Sequence, residues 1–93
     1  MAKFESKGED LYIDGHKVLK GWESFTGWYW FATEKVCKQV SLIDGEGVDD
    51  IIWFGFVQGL EEEWGNFSQA EIESLGAKAW RIPNENLHFS GRR

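Results

Sequence analysis

The chain has 93 residues, 16% of them aromatic, and a formal net charge of −6. This length fits one domain, and apolar runs of about seven residues are too short to span a membrane, so we expect a soluble protein with no membrane segment. Nine acidic residues and no basic residue lie between positions 41 and 76, and this charge disfavours direct binding of nucleic acid through that region.

Residues 1–10 mix charges with glycine and lack the apolar core of a signal peptide. We expect this segment to be loose and the protein to be cytoplasmic. The single cysteine, Cys37, cannot form an internal disulfide, which agrees with a reducing compartment.

The first predicted structural element is a β-hairpin. Two short runs, Leu11–Ile13 and His16–Leu19, flank the pair Asp14-Gly15. This pair is typical of a tight hairpin turn, because both of its central residues need a positive φ.

The most aromatic stretch is Thr26–Glu34, TGWYWFATE, and its predicted partner is Ile51–Val57, IIWFGFV. Aromatic and β-branched residues favour strands, and both runs carry apolar side chains on both faces. Such strands lie centrally in a sheet covered on both sides, or in a sheet that curls upon itself. Gly55 predicts a bulge, a bend, or a place where a bulky neighbour needs room.

The segment between these two runs is ambiguous. Lys35–Ile43 alternates like a strand but also fits a helical face, and we favour a strand. Asp44–Asp50, DGEGVDD, is predicted to be a solvated acidic turn. It does not fit a calcium loop, because its glycines are misplaced and Gly55 stands where a bidentate glutamate is needed.

A helix is the clearest local prediction. Leu60–Phe67 is expected to return as an antiparallel strand along Ile51–Val57. Ser68 and Glu71 then form a capping box, which predicts a helix of about two turns over residues 68–75. Gly76 supplies a left-handed stop.

The carboxyl-terminal part is expected to extend over Ala77–Ile82, with Pro83 marking a sheet edge, and again as an edge strand over Leu87–Phe89. We therefore predict an α+β fold with one curled antiparallel sheet of about five or six strands, barrel-like if it closes upon itself, and one short helix. Residues 1–89 form a single compact domain in this prediction, and residues 90–93 form a flexible tail.

Few residues suggest catalysis or cofactor binding. The sequence has no Gly-rich phosphate loop and no paired Cys or His spacing for zinc, so we expect no cofactor and no metal. A small enzyme using the carboxylates of Glu34 and Glu61–Glu63 is one hypothesis, but solvated charge is the favoured interpretation. Binding of bases on the aromatic strands is disfavoured, because no basic residue is interleaved with them.

The leading hypothesis is a non-catalytic module that binds a protein partner or forms a homodimer. One short helix covers only part of a sheet whose central strands are apolar on both faces. Either the sheet covers itself or an aromatic face remains for a partner. A second hypothesis is an acidic nucleic-acid mimic that inhibits a DNA-handling or defence protein. The predicted binding residues are Trp28, Trp30, Glu34, Trp53, Glu61, Glu63 and Trp64.

Three motifs carry a resemblance to a known family. They are WYWFATE at 28–34, WFGFV at 53–57 and EEEWGNFS at 61–68. The pattern resembles a family of small proteins catalogued as a domain of unknown function and met on plasmids, phages and integrating elements. Residues 1–26 and Lys35–Ile43 do not match that pattern. The resemblance implies a prokaryotic mobile-element setting and assigns no catalytic residue.

Overall fold

The computed structural model describes residues 2–89, so the predicted tail at 90–93 lies outside the described residues. The described chain forms two antiparallel sheets, one of three strands and one of five. The fold is mostly β rather than α+β, because the only α-helix within residues 2–89, α1 (Gln69–Glu73), has five residues. The strands are β1 (Phe4–Lys7), β2 (Asp10–Ile13), β3 (His16–Lys17), β4 (Lys20–Ser24), β5 (Tyr29–Ile43), β6 (Glu46–Gln58), β7 (Glu62–Ser68) and β8 (Ala79–Ile82).

The three-stranded sheet has the order β1-β2-β3 and confirms the predicted hairpin. Asp14 and Gly15 have φ values of 50° and 83°, as a two-residue turn between right-twisted strands requires. The expectation that residues 1–10 are loose was wrong for Phe4–Lys7, which pairs antiparallel with β2.

The five-stranded sheet has the order β7-β6-β5-β4-β8. The prediction of a strand over Lys35–Ile43 is confirmed, since this segment belongs to β5. The predicted turn at 44–50 was too long: only Asp44 and Gly45 turn, with φ values of 51° and 81°, and Glu46 already begins β6. Two positive-φ residues are enough to close a hairpin, so the remaining acids can pair in the ladder.

One face of the five-stranded sheet, which we call the Phe31 face, packs against the three-stranded sheet. Phe31 and Phe56 contribute to a buried cluster with Leu11 and Ile13 from β2. Leu87 joins the same cluster from a 3-10 helix, Asn84–Phe89, where an edge strand was expected. The amino-terminal residues thus supply the second cover that the sequence did not reveal.

The opposite face, which we call the Trp53 face, packs against α1. Trp22, Ala32 and Trp53 are buried there with Ile72 of the helix. The predicted N-cap at Ser68 is confirmed, because its hydroxyl accepts a hydrogen bond from the N–H of Glu71, but the helix covers Gln69–Glu73 rather than two turns over residues 68–75. Both faces are therefore covered by elements of the same chain.

The five-stranded sheet does not close into a barrel among the described residues. Its edges are β7 and β8, and β8 ends at Ile82 before Pro83, as the proline predicted. A separate three-stranded sheet covers the Phe31 face, so the five-stranded sheet need not curl upon itself. Within residues 2–89, no helix has the length and apolar character needed to cross a membrane.

Candidate functional site

The short helix α1 leaves one end of the Trp53 face open. Trp30 lies in register with Val57, which in turn lies opposite Glu63. The next row on the same face contains Ala32, Gly55 and Gly65. Residues directly opposite each other share a face, so this row places no side chain larger than a methyl group beside Trp30.

A groove that we call the aromatic groove lies between Trp30 and α1. It consists of two adjoining hollows of about 340 and 380 Å³, which share Trp30 and Leu75. The first hollow is lined by Ser24, Phe25, Thr26, Trp28, Trp30, Leu75 and Lys78. The second is lined by Trp30, Asn66, Phe67, Ser68, Glu71, Ile72 and Leu75.

Main-chain hydrogen bonds fix the turn that carries Phe25. The N–H of Phe25 donates to the carbonyl of Lys78 at 3.0 Å, and the N–H of Gly27 donates to the carbonyl of Ser24 at 3.0 Å. The Ser24 hydroxyl also accepts a hydrogen bond from the N–H of Trp28 at 3.2 Å. This side of the groove is therefore preformed.

Close packing fixes the aromatic wall of the groove. The rings of Trp28 and Trp30 are stacked, with centroids 5.9 Å apart and an interplanar angle of 29°. Gly59 lies against the Trp28 ring, where the Cβ of any other residue would overlap it. The indole of Trp28 is thus held between Trp30 and the main chain of Gly59.

The groove exposes large apolar side chains next to polar ones. Phe25 is 69% exposed and Leu75 is 44% exposed, while Trp28 and Trp30 are half-buried. The charged residues among the lining are Lys78 in the first hollow and Glu71 in the second. Such a surface can bind an apolar group, but its lining holds no pair of titratable groups suited to proton transfer.

Comparisons with protein-family models, with curated proteins and with solved structures found no match. The resemblance noted in the sequence motifs stays a prediction.

The structure separates the predicted binding residues. Trp28 and Trp30 lie in the aromatic groove. Glu63 is exposed and lies two strands away from Trp30, in the same row of paired residues. Trp53 is only 5% exposed and belongs to the core under α1. Its indole N–H donates to Gln69 at 2.8 Å. The predicted aromatic face is thus partly core and partly groove.

Trp64 lies on the Phe31 face, away from the groove. It stacks on Phe54 with a centroid distance of 5.9 Å and contacts the ring of His16 at 5.4 Å. The contact with His16 joins β7 to the three-stranded sheet, so Trp64 is placed to stabilise the packing of the two sheets.

The carboxylates of the enzyme hypothesis do not converge. Glu34 lies in register with Phe54, whereas Glu63 lies in register with Val57. The two residues are offset by three residues along the strands and by two strands across the sheet. Their Cα atoms are therefore about 14 Å apart. Glu61 is exposed and precedes β7. Within residues 2–89, no group of three or more His, Cys, Asp or Glu side chains is placed to hold a metal ion.

Sequence reasoning missed Phe25 and Leu75. Phe25 is a single apolar residue in the polar turn before Gly27, and Leu75 immediately precedes the left-handed Gly76. Large apolar residues at turn and cap positions are weak signals on their own. Their proximity depends on the pairing of β4 with both β5 and β8, which is a long-range property.

A second, polar groove lies on the other side of α1. It measures about 410 Å³, and its lining includes Lys38, Asp49, Asp50 and Glu73. Asp50 is 5% exposed, and both of its oxygens accept hydrogen bonds. The carboxylate is therefore fully engaged in holding the helix and does not point to a ligand.

The ionisation of Asp50 reflects these contacts. Burial by itself would raise the pKa of the carboxyl group. Hydrogen bonds from the Ser68 hydroxyl, the Ala70 N–H, the Ser41 hydroxyl and the Ile51 N–H favour the charged form and outweigh burial, so the pKa is lowered below its ordinary value. Asp50 is thus a buried carboxylate that is charged at neutral pH.

Proposed function

We propose that the protein is a non-catalytic binding module that holds an apolar segment of a protein partner in the aromatic groove. The observation that carries the proposal is the exposure of Phe25 and Leu75 beside the stacked pair Trp28 and Trp30. The hydrogen-bonded turn presents Phe25 to solvent, where the described chain leaves most of the residue uncovered.

The groove has the physical features of a protein-binding site. Full burial of a Phe or Leu side chain on binding contributes about 1.5–3 kcal/mol each. The fixed Trp28 ring lowers the entropy lost on binding, because its side chain is already held in place. Lys78 at the groove favours an acidic residue next to the apolar anchor of the partner.

Selection from a peptide display library would test this proposal with the full chain as target. We expect enrichment of peptides that carry an aromatic or aliphatic anchor beside an acidic residue. Titration of a selected peptide should shift the tryptophan emission, and Phe25→Glu should weaken its binding at least tenfold. Peptides that bind the wild type and Phe25→Glu equally well would overturn the assignment to the groove.

Leu60→Glu is the matched control for this experiment. Leu60 is 92% exposed and is not part of the groove lining, so the substitution makes the same type of change outside the site. Selected peptides should bind this variant as they bind the wild type. Ligands that survive Phe25→Glu but are released by salt and by neutralising Glu61–Glu63 would support the acidic-mimic hypothesis instead.

A further inference from the structure

The hairpin of β5 and β6 extends beyond the rest of the sheet as an arm, which we define as residues 38–51. Pairing of β4 with β5 stops at Ala32, and pairing of β7 with β6 begins at Ile52. Across the described chain, the arm is paired only within itself, from Lys38 opposite Ile51 to the turn at Asp44. Its β5 edge therefore has no partner strand, whereas the base of its β6 edge is tied to α1 through Asp50.

The arm also exposes apolar side chains. Val40 and Leu42 are 67% and 77% exposed and lie two residues apart, on one side of β5. A two-stranded ribbon is marginally stable in water, and an open strand edge is a template for pairing with another chain. Both properties favour a partner strand along the edge of β5.

The β5 strand of the arm ends in two opposite charges, Lys38 at its base and Asp44 at the tip, while Glu46, Asp49 and Asp50 make the β6 strand acidic. Lys38 on β5 and Asp44 at the tip form no ion pair within residues 2–89, where the ion pairs are Lys3 with Glu5 and Lys17 with Asp10. A partner strand that brings a carboxylate to Lys38 and an amine to Asp44 would match both. A second copy of the arm, running antiparallel to the first, brings its own Asp44 towards Lys38 and its own Lys38 towards Asp44.

A two-fold axis at Val40 satisfies these conditions. Val40 is the midpoint of residues 37–43, the stretch of β5 that pairs with β6 without a register shift. Antiparallel pairing about this axis places Val40 opposite its copy and Lys38 opposite Leu42 of the second copy. Lys38 is then diagonal to the second copy's Asp44, at about 7–8 Å, which a lysine side chain can span.

The same axis avoids repulsion and collision. The two Lys38 residues are four positions apart along the strands, or about 13 Å, so like charges do not face each other. The tip residue Asp44 of each copy lies opposite Val36 of the other copy. The tip therefore does not reach Ala32, the residue at which β4 begins to pair with the same edge of β5. An axis at Lys38 would instead set Lys38 against itself and Asp44 against Ala32.

We propose that two copies of this chain associate through the free edge of β5, forming a four-stranded antiparallel sheet from two arms. The partner is a second copy because the edge is self-complementary in apolar pattern and in charge about one axis. This interface is separate from the aromatic groove, so each proposal can fail without the other.

Sedimentation equilibrium of the full chain tests the association. We expect a concentration-dependent dimer of twice the 10.7 kDa chain mass. Val40→Lys sets two lysines against each other at the axis and should raise the dissociation constant at least tenfold. Leu60→Lys makes the same change in charge at an exposed leucine outside the arm and should leave the constant unchanged. Val40 is exposed, so Val40→Lys should keep the wild-type circular dichroism spectrum.

Cross-linking tests the position of the axis. Val40→Cys in a Cys37→Ser background should form a disulfide-linked dimer on mild oxidation, because the two Cβ atoms meet at the axis. Ser41→Cys in the same background should not, because Ser41 faces Gln39 of the second copy. A strictly monomeric wild type would overturn the proposal, as would a dimer that is insensitive to Val40→Lys and lost in Phe25→Glu.

Discussion

The hydroxyl of Ser68 donates a hydrogen bond to the carboxylate of Asp50 at 2.5 Å, across 18 positions of the sequence. The same hydroxyl accepts the N–H of Glu71 at 3.1 Å, and the other carboxylate oxygen accepts the N–H of Ala70 at 2.8 Å. Asp50, a residue of β6, thus helps to cap the amino-terminal end of α1. This arrangement ties the helix, and with it the wall of the aromatic groove, to the base of the arm.

Asp50→Ala is expected to lower the free energy of unfolding by about 2–3 kcal/mol, because it leaves the buried Ala70 N–H without its acceptor and removes the hydrogen bonds from Ser41, Ser68 and Ile51. Urea unfolding followed by tryptophan fluorescence measures the change. Asp49→Ala, at the exposed neighbouring position, should stay within about 0.5 kcal/mol of the wild type. Equal effects of the two substitutions would contradict the capping role.

The lowered pKa of Asp50 predicts a pH dependence of stability. Since the folded pKa lies below the unfolded value, the carboxylate stabilises the fold above roughly pH 5, and this contribution is lost as the pH falls through the folded pKa. The difference in unfolding free energy between wild type and Asp50→Asn should therefore be constant near neutrality and shrink in acid. The other acidic residues titrate alike in both proteins, so their contributions to the unfolding free energy cancel in this difference. A difference that grows on acidification would have the wrong sign.

The capping box could be read from the sequence because its two residues are three positions apart, whereas the contribution of Asp50 could not. Asp50 lies in an acidic stretch that resembles a solvated turn, and its partners Ser41 and Ser68 come from two other strands. Local patterns predicted the hairpin at Asp14 and Gly15 and the strand over Lys35–Ile43 for the same reason. Both of these elements depend on residues that are close together in the sequence.

The second cover of the sheet was missed for a related reason. Its residues are scattered over short strands and a 3-10 helix at the two ends of the chain, so no single segment shows a strong period. The groove was half predicted: Trp28 and Trp30 stand out by composition, but Phe25 and Leu75 meet them only through the strand order. Long-range pairing decides which apolar residues become core and which remain exposed.

Leu11→Ala tests the amino-terminal cover. Leu11 is fully buried against the Phe31 face, so its truncation should cost about 2–5 kcal/mol of unfolding free energy. Leu60→Ala, at a leucine that is 92% exposed, should cost less than about 0.5 kcal/mol. Both are measured by chemical unfolding at one pH and temperature. A small effect at Leu11 would mean that the three-stranded sheet does not protect this face in solution.

Gly55→Ala tests the close approach of β5 and β6. A Cβ at Gly55 would overlap the carbonyl oxygen of Phe31, a main-chain atom that cannot move without shifting the strand. We expect a loss of at least about 3 kcal/mol in unfolding free energy, or failure to fold. Gly65→Ala is the matched control, because it lies opposite Gly55 in the register, and a Cβ there meets no atom within 4 Å.

The two glycines separate steric from conformational effects. Neither has a positive φ, so alanine strains neither backbone by itself, and replacing a strand glycine with alanine should leave Gly65→Ala as stable as the wild type or more so. Thermal unfolding followed by near-ultraviolet circular dichroism reports both stability and the tryptophan environment. A stable Gly55→Ala variant with an unchanged spectrum would show that β5 and β6 are farther apart at Ala32 than this register requires.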